Sequence, residues 1–265
     1  MTAPSNKKRV WDADTLREPS AAEILLDRGC VSYLHGKTDT LSNGLAYSCR
    51  AAGWSKTGTF KDSRDSKIYK GVKIGTQTWM AENLNYADSA KTPSLAGNSW
   101  CYDDDASNCT QYGRLYTWNA ALNACPDGWH LPDTTEWIVL FEAVGGEQNI
   151  IGGTMWLGAG RMLKSTSGWE EIENGEVVEE GNGTDVFAFT ALPAGNRITA
   201  VEQTYNFEGV NAFFWSSSNY VDPYDESENM AYNTSLDILD NNAHQENSNQ
   251  SYGYSVRCLK NSQAE

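Results

Sequence analysis

The sequence predicts an α+β fold that is loop-rich and stapled by disulfides, with two helices and short antiparallel strands. Two helical segments flank an extended HLP run at residues 130–132, within residues 112–144. After Gly145-Gly146 the chain is rich in Gly, Asn and Ser with short aromatic patches, which is typical of short strands and loops. Six cysteines form an even set, as expected of a disulfide framework.

The chain divides into three predicted parts. Residues 1–28 are polar and are interpreted as an N-terminal segment or linker. Residues 29–56 are predicted to form a small β hairpin, because two apolar runs flank a polar turn. A disulfide between Cys30 and Cys49 would stabilise this hairpin by about 3 kcal/mol. The remaining residues, 57–262, are predicted to form one domain.

The start of this domain shows the alternation of apolar and polar residues that is typical of strands. Two turns interrupt it, one from Asp62 to Asp65 and one at Gly75-Thr76. The side chains predicted to face the core here are Tyr69, Val72, Ile74 and Trp79.

The first predicted helix carries Trp118, Ala121 and Leu122 on one stripe, which Cys125 continues. The second helix begins at Asp133, where Asp133 and Glu136 have the spacing of a capping box. Its buried face repeats at i, i+3, i+4 and i+7, and the Gly-Gly pair ends it. The large residues predicted to lie in the core are Trp118, Trp129, Trp137, Leu140 and Phe141.

Two cysteines are placed to link the first predicted helix to the end of the chain. Cys125 lies near the end of the first helix, and Cys258 lies in the closing GYSVRC run. A cysteine on an early helix tied to one on the last strand is typical of a C-type-lectin-like fold, which is therefore the predicted architecture. We expect the pair Cys125–Cys258 on this basis, together with the local pair Cys101–Cys109.

Several long runs also resemble the Fibrobacter succinogenes major paralogous domain family. That resemblance implies a secreted or surface protein, with a fold similar to those of C-type lectins and formylglycine-generating enzymes, and it implies no particular activity. The runs that carry it span about residues 57–262 and are GTFKDSRDSKIYKGVKIGTQTWMAENLNY, SWCYDDDASNCTQYGRLYTWNAALNACPDGWHLP, GTDVFAFTALPAGNR, FFWSSS and GYSVRCLK.

Charge and composition limit the partners and the compartment. The formal net charge is −15, whereas nucleic-acid binding needs a basic surface, so no nucleic-acid partner is expected. The sequence contains no run of about 18 apolar residues, so no membrane span is predicted. The N-terminus lacks the apolar stretch of an export signal, and we expect that signal to have been removed from an extracellular or cell-surface protein. The alternative is a cytosolic protein with six free thiols.

The sequence predicts no catalytic residue. A formylglycine-generating reaction needs a copper-binding cysteine pair, and Cys258 is the only cysteine in the last third of the chain. The GxSxG motif of hydrolases is absent, and His130 lies between two core residues and is interpreted as structural. A carboxylate pair of the glycosidase type stays open in so acidic a chain, so a carbohydrate-active enzyme is the least favoured alternative.

No cofactor is predicted, but calcium is left open. The EPN, QPD and WND tripeptides through which many C-type lectins bind calcium and sugar are absent, and Trp215-Ser216-Ser217-Ser218 stands at the matching place. Asp103, Asp104 and Asp105 lie in a loop between Cys101 and Cys109, where hard oxygen ligands could bind Ca²⁺. The alternative for these aspartates is a solvated acidic turn.

The predicted ligand-binding face lies in the last third of the chain, where Asn, Tyr and Ser are abundant, as in adaptable recognition surfaces. We predict a non-catalytic recognition or adhesion module for a glycan or a surface protein. A structural subunit of a surface layer or appendage is the alternative, and an oligomer is compatible with either. The candidate residues are Asn219, Tyr220, Tyr224, Tyr232, Asn233, Asn242, His244 and Asn247.

Overall fold

The computed structural model describes residues 10–12, 15–17, 38–40, 46–50, 53–149, 154–173, 176–198, 204–223, 225 and 229–262. Cys30 lies outside the described residues, and so does the predicted Cys30–Cys49 bond. The fold is a mixed α and β structure with far more strand than helix. No helix among the described residues has the length and apolar character needed to cross a membrane.

The described residues form twenty-one strands and four α-helices. The helices are α1 Ala106–Tyr112, α2 Trp118–Ala121, α3 Thr134–Ala143 and α4 Ala159–Leu163. The first ten strands are β1 Val10–Asp12, β2 Thr15–Arg17, β3 Thr38–Thr40, β4 Ala46–Arg50, β5 Gly53–Lys61, β6 Ile68–Ile74, β7 Gln77–Met80, β8 Ser99–Trp100, β9 Leu115–Tyr116 and β10 Trp129–His130. The others are β11 Glu147–Gln148, β12 Met155–Leu157, β13 Glu170–Glu173, β14 Glu176–Glu180, β15 Ala194–Ile198, β16 Thr204–Glu208, β17 Asn211–Tyr220, β18 Met230–Asp237, β19 Ala243–Asn249, β20 Tyr254–Ser255 and β21 Leu259–Lys260.

The prediction of two helices is wrong, because α1 and α4 were not predicted, and the first predicted helix is shorter than expected. Strand β9 lies just before it, and α2 covers only its first part, Trp118–Ala121. Leu122 is 40% exposed instead of buried, and Cys125 follows the helix. The other stripe residues behave as predicted, since Ala121 is fully buried and Trp118 and Cys125 pack against the core; Leu122 departs from the stripe because α2, capped by Thr117, ends at Ala121.

The second predicted helix is confirmed as α3. The Asp133 carboxylate accepts a hydrogen bond from the Glu136 amide at 2.8 Å, and the Glu136 carboxylate accepts one from the Asp133 amide at 2.9 Å. This reciprocal pair satisfies amides that the first helical turn leaves unpaired. The helix ends before Gly145, whose φ of 84° suits glycine.

One sheet of seven strands has the order β10-β21-β7-β6-β5-β4-β3. The predicted turns at residues 62–65 and at Gly75 connect β5 to β6 and β6 to β7. Strand β5 spans residue 57, where the domain was predicted to begin, and pairs with β4 on one side and β6 on the other. The hairpin strands β3 and β4 therefore continue the sheet of the main domain.

The larger sheet has the order β11-β12-β19-β18-β17-β20-β9-β8, with β15 and β16 branching from β17. Its strands are mostly antiparallel, as predicted, but β17 pairs in parallel with both β20 and β15. The pairs β1–β2 and β13–β14 form separate two-stranded sheets.

The core lies on both faces of this larger sheet. One cluster contains Trp79, Trp137 and Phe214, all fully buried, and α3 covers it. The second cluster, on the opposite face of β17, contains Trp215 and Tyr254. Trp118 and Trp129 pack against the second cluster but are only partly buried, which corrects their placement as full core residues.

Two of the predicted disulfides are confirmed. Cys101 is bonded to Cys109, and Cys125 is bonded to Cys258, which is fully buried. The second bond joins the segment after α2 to the segment just before β21, 133 residues later. It therefore connects the first and last thirds of the domain.

Candidate functional site

Strands β17, β18 and β19 form most of the region that was expected to be an irregular loop. They pair antiparallel in sequence order, with ladders from Asn211 to Asn249. The middle of β18 is buried on both faces, including the polar residues Thr234 and Ser235. The loop prediction was wrong because Asn, Ser and Thr here pair in a sheet instead of terminating it.

The register assigns the predicted ligand residues to different faces of these strands. Tyr232 lies opposite Asn247, whereas Asn233 lies opposite Glu246 and Trp215. Because neighbouring residues of a strand point to opposite faces, Tyr232 and Asn247 share one face and Asn233 lies on the other. The structure therefore does not place the eight predicted residues on a single face.

Three of the predicted residues form one surface, which we call the Tyr/Asn surface: Tyr220, Tyr232 and Asn247. The two tyrosine rings meet edge to face with centroids 5.3 Å apart. Both rings are partly exposed, and Asn247 is exposed. Within the part of the chain that the structure describes, the two hydroxyls and the Asn247 carboxamide have no hydrogen-bond partner, so they are available to a ligand. Tyr224 lies outside the described residues.

The start of α3 borders this surface. Gln245 lies two residues before Asn247 on β19 and therefore points to the same face. Its side chain donates a hydrogen bond to the Thr134 carbonyl at 2.8 Å. Ser218 on β17 accepts from the Thr134 amide at 3.1 Å. These bonds attach the helix to the sheet, so the Tyr/Asn surface has a rigid base rather than a loop support.

Two other predicted asparagines have hydrogen-bond partners within the protein. Asn233 is 1% exposed, and its carboxamide oxygen accepts from the Ser248 hydroxyl at 3.1 Å. Asn219 accepts from the Gln250 side chain at 2.9 Å. Asn233 is too deeply buried to reach a ligand, and Asn219 lies on the face opposite the Tyr/Asn surface, across from Ala231.

Asn242 lies in the turn between β18 and β19, and His244 is the second residue of β19. Asn242 donates to both carboxylate oxygens of Asp240, and its own oxygen accepts from the Gly158 amide. Nε2 of His244 lies 3.0 Å from Oδ2 of Asp240 and 4.0 Å from Oδ2 of Asp237. Hydrogen bonds from Asn242 and the charge of His244 outweigh burial and lower the pKa of Asp240.

Asp237, Asp240 and His244 together could hold a metal ion, and among the described residues they are the one such group of three. Sequence reasoning missed both aspartates, because acidic residues in a turn are usually interpreted as solvated. The spacing of an aspartate, a second one three residues later and a histidine four residues after that was the available signal.

A buried lysine donates hydrogen bonds to the backbone of the same turn. Lys164 is 1% exposed, and its ammonium donates to the carbonyls of Asp237 and Asp240, each at 2.8 Å. Burial lowers the pKa of Lys164, although the two aspartate charges oppose that shift. Its hydrogen bonds satisfy two carbonyls and hold the shape of the turn.

The predicted calcium ligands do not converge. The Asp105 carboxylate accepts from the amide and hydroxyl of Ser107 at the start of α1, and that of Asp104 accepts from the Tyr205 hydroxyl at 2.7 Å. Asp103 and Asp104 both have positive φ, which aspartate tolerates better than most residues. These carboxylates shape a left-handed turn inside the Cys101–Cys109 loop, and calcium binding there stays a prediction.

His130 has a structural environment, as interpreted from the sequence. One ring nitrogen lies 2.9 Å from the Glu136 carboxylate and the other 2.6 Å from the Asn261 carboxamide oxygen. Glu136 also caps α3, so His130 connects the last residues of the domain to the helix start.

The segment from 198 to 256, which carries the Tyr/Asn surface, contains no Lys or Arg. Its acidic residues give it a strongly negative charge. The charge of this segment disfavours anionic ligands and suits neutral or cationic ones. The acidic residues are Glu202, Glu208, Asp222, Asp225, Glu226, Glu228, Asp237, Asp240 and Glu246.

A family model described as the Fibrobacter succinogenes major domain matches residues 72–260. The chain belongs to this family. The matched region of the Fibrobacter succinogenes major domain includes the first core cluster, most of the second, the Tyr/Asn surface and the two described disulfides. No curated protein and no solved structure matched the chain in a search of each.

Proposed function

We propose that this Fibrobacter succinogenes major domain protein is a non-catalytic recognition or adhesion module, located outside the cell or on its surface. Its architecture would be that of a C-type-lectin-like domain. The disulfides support the compartment, since such bonds persist mainly in oxidising environments. The fold assignment rests on the long Cys125–Cys258 closure.

The observation that carries the proposal is the Tyr/Asn surface. Tyr220 and Tyr232 present two partly exposed rings in a fixed edge-to-face arrangement, next to the exposed carboxamide of Asn247. Aromatic faces stack on the apolar faces of sugar rings, and carboxamides both donate to and accept from hydroxyls. Side chains with few rotatable bonds lose little entropy on binding.

Charge favours a neutral polysaccharide as the ligand. Because the segment that carries the Tyr/Asn surface lacks Lys and Arg, it offers no cation of its own to neutralise an anionic glycan. A neutral glycan needs only stacking and hydrogen bonds. A protein partner of the cell surface is the second ligand class, and a subunit of a surface layer is the alternative role.

The test measures binding of the full chain to an array of neutral and anionic polysaccharides. Variants of the chain are then measured on the same array. Tyr220→Ala/Tyr232→Ala should abolish binding to the neutral glycan that the wild type selects, with little change in melting temperature. Phe207→Ala is the matched control, because Phe207 is an exposed aromatic residue, 49% accessible, on β16. Retained binding in the double variant, or equal loss in the control, would refute the site.

The glycan array, combined with a measurement of self-assembly, separates the two roles. A subunit of a surface layer should bind no glycan and should assemble with itself at high concentration, which light scattering detects. A recognition module should remain monodisperse and bind its glycan with moderate affinity. Self-assembly without glycan binding would replace the proposed role with the structural one.

A further inference from the structure

The turn between β18 and β19 brings together three side chains of the metal-ligand type. Asp237 ends β18, Asp240 lies in the turn, and His244 is the second residue of β19. One ligand atom from each lies within 4.8 Å of the others. The three side chains are 22–33% exposed, so an ion from solvent can reach them.

The separations suit a single small ion. A tetrahedral ion with bonds of about 2.0–2.2 Å keeps its ligand atoms roughly 3.4 Å apart. The His244 nitrogen lies 3.0 Å from one aspartate oxygen and 4.0 Å from the other, which brackets that value. Small rotations of the side chains would therefore bring all three ligand atoms to bonding distance without movement of the backbone.

The backbone that carries these ligands is held independently of any ion. His244 is opposite Ser235 on one side and Met155 on the other, so its strand is paired on both edges. The Lys164 ammonium holds the carbonyls of both aspartates. A preorganised ligand set loses less entropy on binding than a mobile one.

The charges at the turn leave room for a cation. Among the described residues, the ion pairs of Asp237 and Asp240 are with His244, whose imidazole is charged only when protonated. Lys164 contacts backbone carbonyls and offsets one of the two carboxylate charges. The turn therefore keeps a net negative charge, inside a segment of the chain that contains no Lys or Arg.

We propose that Asp237, Asp240 and His244 bind one divalent transition-metal ion of the Zn²⁺ class. An imidazole nitrogen with two carboxylates suits zinc, whereas calcium and magnesium prefer oxygen ligands throughout. The exposed side of the group leaves a fourth position for water or for a ligand atom. A bound ion would join the end of β18 to the start of β19 and stabilise the hairpin that carries Tyr232 and Asn247.

The test uses the full chain, freed of metal with a chelator and titrated with zinc chloride in a calorimeter. The wild type should bind one equivalent, and its melting temperature should rise with zinc concentration, because the ion binds the folded state. His244→Gln and Asp237→Asn should each weaken zinc binding at least about tenfold. Circular dichroism checks that each variant is folded.

Two kinds of control isolate the site. Glu246→Gln removes a carboxylate two residues beyond His244 on the same strand and should leave the affinity unchanged. His35→Gln and His130→Gln remove the other two histidines of the chain and should also bind like the wild type. The proposal fails if the wild type shows no saturable binding, if His244→Gln binds equally well, or if either histidine control loses zinc. Tighter binding of calcium than of zinc would overturn the assigned metal class.

Discussion

The guanidinium of Arg257 donates two hydrogen bonds to the carboxamide oxygen of Asn83, which lies 174 residues earlier in the chain. Both residues are buried, and the two distances are 3.1 Å and 2.7 Å. Arg257 also donates to the carbonyls of Met80, Phe189 and Thr190. One buried cation thus joins three segments that are far apart in the sequence.

We predict that Asn83→Ala lowers the free energy of unfolding by about 3 kcal/mol, because it leaves two donors of a buried cation without their acceptor. Asn85→Ala is the matched control. Asn85 is partly buried, and its side chain donates one neutral hydrogen bond to the Cys109 carbonyl, which contributes about 1 kcal/mol. Urea unfolding measures both values. A loss for Asn83→Ala no larger than that of the control would contradict the role assigned to Arg257.

We predict that the Cys125→Ser/Cys258→Ser variant loses about 4–5 kcal/mol of stability, because its disulfide closes a loop of 133 residues. The Cys101→Ser/Cys109→Ser variant should lose only about 2.5 kcal/mol, because that loop spans 8 residues. Denaturant midpoints of the two variants give the comparison. An order of effects opposite to this one would show that loop length does not control the contribution of these bonds.

We predict that Trp137→Ala destabilises the domain by about 3–5 kcal/mol. Trp137 is fully buried and packs against Trp79, Phe141, Phe189 and Phe214. Val139→Ala on the same helix is the control, since Val139 is 38% exposed and should cost less than about 1 kcal/mol. Thermal and chemical unfolding of both variants test this. Wild-type stability in Trp137→Ala would mean that the tryptophan lies outside the core in solution.

We predict that stability falls as the pH rises above about 10. Burial raises the pKa of Tyr69 and that of Tyr112 to about 12, and it raises the pKa of Tyr116 and Tyr254 as well. A tyrosine whose folded pKa is raised contributes stability below its unfolded pKa, near 10, and this contribution is lost as the pH rises through the folded value.

Two buried cations act in the opposite direction, since burial lowers the pKa of Arg257 and of Lys164, but the four tyrosines outnumber them. Urea midpoints between pH 8 and pH 11.5 measure the trend, and absorbance at 295 nm reports ionised tyrosine. Tyr69→Phe should make the fall less steep. A midpoint that stays constant to pH 11.5 would contradict the burial of these hydroxyls.

Local signals allowed much of the first half of the domain to be predicted from the sequence. The alternation that placed Tyr69, Val72, Ile74 and Trp79 in the core involves neighbours along the chain, and all four are buried. The capping box of α3 likewise depends on residues three positions apart. In such cases the residues that interact are also close in sequence, so their spacing is informative.

The candidate site could be predicted only in part. The sequence indicated the right segment, but it could not separate the exposed Asn247 from the buried Asn233, because both are asparagines on strands. The first predicted helix was only partly correct for a related reason. Apolar residues at helical spacing also occur in the region of β9 and α2, where the helix itself is short. Composition identifies the residue types of a surface, whereas register decides which of them reach solvent.

By itself, the sequence determined the family, the acidic charge, the cysteine pairs within the described domain and the start and end of α3. Only the tertiary structure decided which side chains meet across strands. It joined Tyr220 to Tyr232, and it brought His244 to Asp237 and Asp240. The physical reason is that a one-residue shift in strand register moves every side chain to the other face, and that register is set by packing from distant parts of the chain.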